Sequence, residues 1–293
     1  MGWGAQQWLK FTPESAYGTY DSAGTAFWIR LVDDTAFDMR SVVQRQIIRS
    51  ADGGNRRRQL VSARKVVAGN LKTLFYPSQA ATILGAALTL TSNDLKSYTI
   101  DYYDSVQGMR FLGAKVGSLT VSTDSSSDYA SLSLGLVAQK RDTVSLAQPA
   151  DTVFPTDTPF THFESKGNVS IGGSTAVKYK SLSISVKNIL DPTWDEDEWI
   201  SSLLYCGRDV DVSIAMQYLS TTMRDDFESQ SALAVSLAWA RPSGVTATLD
   251  CQSTNYIAEV GDQLRLGAAN YQTINIQTFY DQAGSTDCSF TVA

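Results

Sequence analysis

The sequence predicts an all-β protein with short flanking helices, built as two tandem copies of one β-rich unit. Three observations predict it. Apolar and small polar residues alternate with period two in Tyr129–Ala138, Lys178–Lys187 and Asp209–Gln217, as half-buried strands require. Helical spacing is confined to Ala80–Leu90 and Ser220–Glu228, and the order of elements repeats on either side of a proline-rich stretch.

Residues 1–25 carry Trp3, Trp8, Phe11, Tyr17 and Tyr20 without a period, which reads as an extended arm packing on something else. Strands follow at Phe27–Val32, Phe37–Arg49 and Leu60–Val67, and Ala51-Asp52-Gly53-Gly54-Asn55 supplies the turn of a long hairpin. Pro77-Ser78-Gln79 opens an amphipathic helix over Ala80–Leu90, with Ser78 as the expected N-cap and Ala80, Ile83, Leu84, Ala87 and Leu88 on one face. Strands resume at Ser97–Tyr103, Phe111–Ser122 and Tyr129–Ala138, where Leu132, Leu134 and Leu136 oppose Ser131, Ser133 and Gly135.

Gln148-Pro149, Phe154-Pro155 and Thr158-Pro159 mark residues 142–160 as the best linker in the chain. The pattern then restarts. Leu182, Ile184 and Val186 alternate with serines in Lys178–Lys187; an acidic insertion follows at Asp191–Glu198; Val210, Val212, Ile214 and Met216 alternate in Asp209–Gln217. This is a second long hairpin. A short helix at Ser220–Glu228, capped by Thr221 or Thr222 and carrying Met223 and Phe227, precedes strands at Ala234–Trp239, Thr246–Cys251, Gln263–Leu266 and Thr273–Tyr280. The expected organisation is an arm (1–25), a first unit (26–145), a linker (146–160) and a second unit (161–293).

Composition narrows the function. Hydrophobic residues are 43% of 293 and charged residues only 18%, below the roughly 25% of an ordinary soluble domain. Such a surface suits burial against copies of itself. A net charge of -6 argues against a main role in gripping nucleic acid, which needs cations that release counterions. No apolar run reaches the roughly 18–20 residues of a membrane helix, and the start Met1-Gly2-Trp3-Gly4 has no basic or apolar leader, so a soluble, cytoplasmically made product is expected. Cys206, Cys251 and Cys288 form no CxxC pair and read as small buried hydrophobes.

The chain has no signature of catalysis. His162 is the only histidine, which removes triads and metal sites that need two imidazoles, and it reads as a turn or interface residue. GxxxxGK[ST], GxGxxG and GxSxG are all missing, so neither cofactor nor enzyme activity is expected. Asp191, Asp195, Glu196, Asp197 and Glu198 could gather Ca²⁺, but the spacing is not that of a dedicated loop, and Pro192, Trp194 and Trp199 interrupt it. Arg56, Arg57 and Arg58, backed by Arg40, Arg45, Arg49, Arg64 and Lys65, form the basic counterpart without an interleaved aromatic platform. Both patches sit in the loop region of a long hairpin, one per half. Two readings stay open: Arg56, Arg57 and Arg58 dock on Asp195, Glu196, Asp197 and Glu198 of a neighbouring subunit, or both are unrelated solvated loops.

Four segments carry a family resemblance. Lys10–Thr19, with Glu14-Ser15-Ala16-Tyr17-Gly18-Thr19 at its end, Gly69–Pro77, Phe111–Val121, and Leu182–Asn188 with Asp191-Pro192 resemble, in order, segments of tail tube proteins of long-tailed bacteriophages. The resemblance implies β-sandwich units flanked by a helix, whose long hairpins join neighbours into a barrel around a lumen. It implies stacked rings of six units in the virion tail, assembled in the host cytoplasm, through which DNA passes non-specifically. With two units per chain a ring takes three copies, the alternative being six. The implied partners are further copies, a tape-measure protein, and the tail tip and tail terminator proteins. A smooth, net negative lumen is expected. The alternative function is a virion decoration protein or a glycan-binding β-sandwich using Trp194, Trp199 or Trp239.

Overall fold

The computed structural model describes the chain outside residues 1–6, 31–35, 50–56, 105, 148, 151–152, 166–168, 173, 176–178, 196–197, 218–221, 243, 264–270 and 279–287. Among the described residues it is all-β with three short helices. The first half contains β1 (Trp8–Pro13), β2 (Phe27–Arg30), β3 (Ala36–Arg49), β4 (Arg57–Leu74), α1 (Pro77–Leu88), β5 (Leu90–Thr91), β6 (Asp94–Leu95), β7 (Tyr98–Tyr103), β8 (Gly108–Asp124), β9 (Ser131–Ala138) and β10 (Lys140–Val144). The second contains α2 (His162–Ser165), β11 (Val169–Ile171), β12 (Ser174–Thr175), β13 (Tyr179–Thr193), β14 (Ser202–Gln217), α3 (Thr222–Ser229), β15 (Leu233–Ala240), β16 (Thr246–Gln263), β17 (Tyr271–Thr278) and β18 (Cys288–Val292).

Strand pairing repeats between the halves. In the first, β3 pairs β4, β4 pairs β9, β9 pairs β8, and β8 also takes β7 and β10, with β1 on β7 and β2 on β1. In the second, β13 pairs β14, β14 pairs β17, β17 pairs β16, and β16 also takes β15 and β18, with β11 on β15 and β12 on β11. The irregularities repeat as well. β8 bulges at Gly117, between Val116 and Ser118; β16 bulges at Ala258, between Ile257 and Glu259. On β4 the bulge falls at Ala63, opposite Gln44/Arg45; on β14 it falls at Cys206, opposite Ile189/Leu190. A bulge displaces the register by one residue, so each match aligns the two halves residue by residue.

β13 joins the halves by pairing β8 antiparallel, from Ser181 opposite Asp124 to Lys187 opposite Ser118. The result is one run, β3-β4-β9-β8-β13-β14-β17-β16. Its inner face buries Leu71, Leu134, Leu119, Ile184, Val212 and Ile274, each at 1% exposure or less. The opposite face carries Ser133, Thr120, Ser185, Asp211 and Asn275. Alternation in the sequence is thus burial on one face. Under the inner face, α1 buries Ala80, Ile83, Leu84, Ala87 and Leu88, the residues its spacing marks.

Several expectations need correction. Ser78 is not the N-cap of α1: Tyr76 occupies that position with Pro77 first in the helix, and Ser78 donates its N–H and Oγ–H to Asp157 at 2.9 and 2.7 Å. A carboxylate from the proline-rich segment therefore caps the helix, favoured there by the helix dipole. The acidic insertion begins within β13, which continues to Thr193. β16 runs on past the expected end at Cys251 to Gln263, and residues 264–266 of the strand expected at Gln263–Leu266 lie outside the described residues. Trp8–Pro13, within the segment read as an arm, is a strand between β2 and β7. In the proline-rich segment, Phe160 is fully buried against Phe75, donates its backbone N–H to the Phe75 carbonyl and accepts from the Ala130 N–H. Cys251 and Cys288 are buried opposite each other on β16 and β18, whereas Cys206 is exposed because it is the bulged residue of β14.

Candidate assembly surfaces

Three of the four resembling segments, those around Glu14, Lys115 and Asn188, meet in the folded chain. Glu14, buried at 7% exposure, accepts from Gly18 N–H at 2.9 Å, Thr99 Oγ–H at 2.8 Å and Gly113 N–H at 2.9 Å. Gly18 and Gly113 both hold positive φ, +69° and +64°, the region that side chains disfavour. The Tyr17 ring lies over Gly113, where any Cβ would stand 3.0 Å from it. Lys115, almost fully buried, reaches the Tyr17 ring, Asp94 at 2.6 Å and the Leu203 carbonyl at 2.5 Å. Burial, then the nearby Glu14 and Asp94 carboxylates, push the Tyr17 phenol up, so it stays neutral.

Asn188 makes the other knot. Its amide donates to Ala87 C=O and Val116 C=O, both at 2.9 Å, and its Oδ1 accepts from Arg208 Nε at 2.9 Å. Arg208 in turn donates to Ala87 and Leu88 carbonyls at 3.1 and 3.0 Å. These carbonyls end α1 and lack helical partners of their own. A strand of the second half thus closes a helix of the first.

The charged patches are reached only in part. Arg56, Glu196 and Asp197 lie outside the described residues, and Arg57 and Arg58 are placed only as backbone at the start of β4. Asp195 and Glu198 are exposed in the β13–β14 loop, where Asp195 N–H donates to Ser201 Oγ at 2.9 Å. Two cations behind the arginine run do reach this loop inside one chain. Lys65 pairs with the Glu198 carboxylate and its ammonium lies 4.9 Å from the Trp199 ring centre; Arg64 lies 4.5 Å over Trp194. Each of these two half-buried tryptophans thus has a cation against its ring, and Trp239, at 1% exposure, is no open platform for a sugar. Trp239 instead packs edge-on against Phe75.

His162 is buried, with Nδ1 3.2 Å from Thr123 Oγ1 and its ring edge-on to Tyr179. Among the described residues no cluster of three metal-ligating side chains exists. No described helix is long and apolar enough to cross a membrane.

What the long sheet leaves open is its two ends. Among the described residues β3 pairs only β4, and β16 beyond Asn255 pairs only β17. Rows of unpaired backbone N–H and C=O groups at such edges invite another strand. A family model for phage tail tube proteins matches residues 4–278. The chain belongs to the phage tail tube protein family. No match was found among curated proteins. Tail tube proteins are structural subunits of the virion tail, and three of the four segments that resemble the family supply the residues that lock Glu14 to Gly113 and Asn188 to α1 and Val116. They define the subunit fold. Sequence reasoning expected hairpin edges that neighbours would cover but not which strands supply them, because an edge is a property of pairing partners and not of any residue type.

Proposed function

We propose that this tail tube protein works as a passive wall element: three copies close a ring of six units, rings stack, and the bore conducts DNA without enzymatic activity. The observation that carries this reading is the pair of open edges, β3 and β16, at opposite ends of one continuous run of strands. Two edges of one subunit joining head to tail give a closed ring when the rotation closes. Two units per chain, divided around residues 146–160, make three copies the natural number.

The polar face of the run supports a lining role. Ser133, Ser185 and Asn275 offer short neutral groups there, and Asp38, Asp209, Asp211 and Glu259 are exposed on it beside Arg40, Lys72 and Lys187. A lining that is smooth and net negative does not hold DNA through counterion release. The tape-measure protein fills the bore before DNA, and the tail tip and tail terminator proteins close its ends; assembly takes place in the host cytoplasm. Arg56, Arg57 and Arg58 dock on Asp195, Glu196, Asp197 and Glu198 across a subunit or ring interface.

Negative-stain imaging of the purified chain at high concentration, with native mass spectrometry of the rings, tests the reading. Stacked rings of three chains are expected. Persistent monomers overturn the wall role, and six chains per ring overturn the copy number.

A further inference from the structure

We propose that β3 of one copy adds to β16 of the next in a fixed antiparallel register, Arg40 opposite Gly261, Ser41 opposite Val260 and Val42 opposite Glu259. The inference rests on the ring reading above and adds the strand pair and its alignment. Its template is the junction that the chain already makes within itself.

β8 and β16 occupy the same place in the two halves, and so do β13 and β3. The bulges fix the correspondence. Gly117 of β8 matches Ala258 of β16, so Ser118, Leu119 and Thr120 match Glu259, Val260 and Gly261. Ala63 of β4 matches Cys206 of β14, so the residues Gln44 and Ile189 that pair beside them match. β3 has no further irregularity between Gln44 and Ala36, nor β13 between Ile189 and Ser181. Arg40, Ser41 and Val42 therefore match Ser185, Val186 and Lys187. Within the chain Ser185 faces Thr120, Val186 faces Leu119 and Lys187 faces Ser118. Carrying these pairs over gives the proposed register.

The side chains suit it. Val260 packs on the core side, as Leu119 does. Val42 is 55% exposed in the single chain and loses that exposure beside a new strand. Gly261 has no Cβ opposite the long Arg40 side chain, and Glu259 stands diagonal to Arg40, an opposite-charge neighbour of the kind that selects register. Arg40 pairs with Asp38 on its own strand, both largely exposed, so the pair restrains it weakly. A slip by one residue turns every side chain to the wrong face.

Val42→Cys with Glu259→Cys, in a Cys206→Ser background, tests the register after mild oxidation of assembled material. Directly opposed Cβ atoms lie roughly 4.5–5.5 Å apart and diagonal ones roughly 7–8 Å, while a disulfide needs about 3.5–4.5 Å. Covalent ladders on denaturing gels are expected severalfold more abundant than for the two-residue shift, Val42→Cys with Gly261→Cys. Tubes that form but cross-link equally well, or better, in the shifted pair overturn the register and leave the ring reading standing. Loss of tubes in the unmodified protein overturns the ring reading itself. A second variant guards against a folding defect: Arg40→Glu is expected to weaken assembly, and adding Glu259→Arg to restore it. Failure of restoration, with both variants folded, counts against the register.

Discussion

Lys65 and Glu198, 133 residues apart, are joined twice: the Lys65 backbone N–H donates to the Glu198 carbonyl at 2.7 Å, and the ammonium pairs with the carboxylate. The loop of the second hairpin is thereby laid on the first hairpin of the same chain. The side chains are 25% and 47% exposed, so the charges contribute little, and the backbone bond with the Trp199 contact does most of the holding. A double-mutant cycle of Lys65→Ala and Glu198→Ala, read by urea unfolding, is expected to give a coupling of about 0.2–1 kcal/mol that shrinks in salt.

Asn188 holds a buried position with three partners from two different halves. Asn188→Ala leaves the Val116 carbonyl without its side-chain donor and removes the acceptor of Arg208 Nε. A loss of about 1–3 kcal/mol is expected, the cost of buried polar groups left unpaired. Chemical denaturation measures it, and hydrogen exchange should show the last turn of α1 opening first.

Glu164 and Arg241 tie α2 to β15 through bonds of 2.6 and 3.3 Å, while Arg241 also donates to the Thr158 and Pro159 carbonyls at 3.0 Å. Burial raises the Glu164 pKa, but the Arg241 guanidinium and the Thr161 N–H together outweigh it and hold the carboxyl below its ordinary 4.5. A lowered folded-state pKa stabilises above the unfolded value and is lost as pH falls through the folded one. The stability gap between the parent and Glu164→Gln should therefore be largest near neutrality and close progressively below pH 4.5, as unfolding titrations at several pH values will read.

Gly69 sits opposite Met39, where a Cβ would stand 2.5 Å from Met39 Cα and collide with the Asp38 carbonyl. Both obstacles are backbone, so neither can swing aside. Gly69→Ala is expected to cost about 1–3 kcal/mol, as overpacking does, and to slow tube formation by distorting β3. Thermal unfolding and light-scattering assembly curves check the two effects separately.

Reversal of Arg56, Arg57 and Arg58 to Glu is expected to block polymerisation with the subunit still folded, since exposed charges contribute about 0–1 kcal/mol per pair. Reversing the acidic loop to Lys in the same chain should restore part of it. Polymerisation equal to the parent's by electron microscopy would show that the loops are not partners.

Much of the fold was legible in the sequence. Period-two runs such as Leu132–Leu136 and Leu182–Val186 marked β9 and β13, and the helical spacing of Ala80 to Leu88 marked α1. The family segments located Glu14, Lys115 and Asn188, though not their partners. The rest depends on distance along the chain. Nothing near Ser78 announces that Asp157 supplies its cap, and nothing near Trp194 announces Arg64 above its ring. Short strands such as β11, β12 and β18 are too brief for a period to register; β11 and β18 exist because β15 and β16 offer them an edge, and β12 because β11 does.

The β8–β13 junction lies within one polypeptide. Its strength is therefore independent of protein concentration, set by tether length instead of by collision. A contact between β3 and β16 of separate copies obeys mass action and comes apart on dilution. In the proposed ring of three chains every second seam is permanent, so growth begins from a particle that already carries one finished joint and has fewer left to lose.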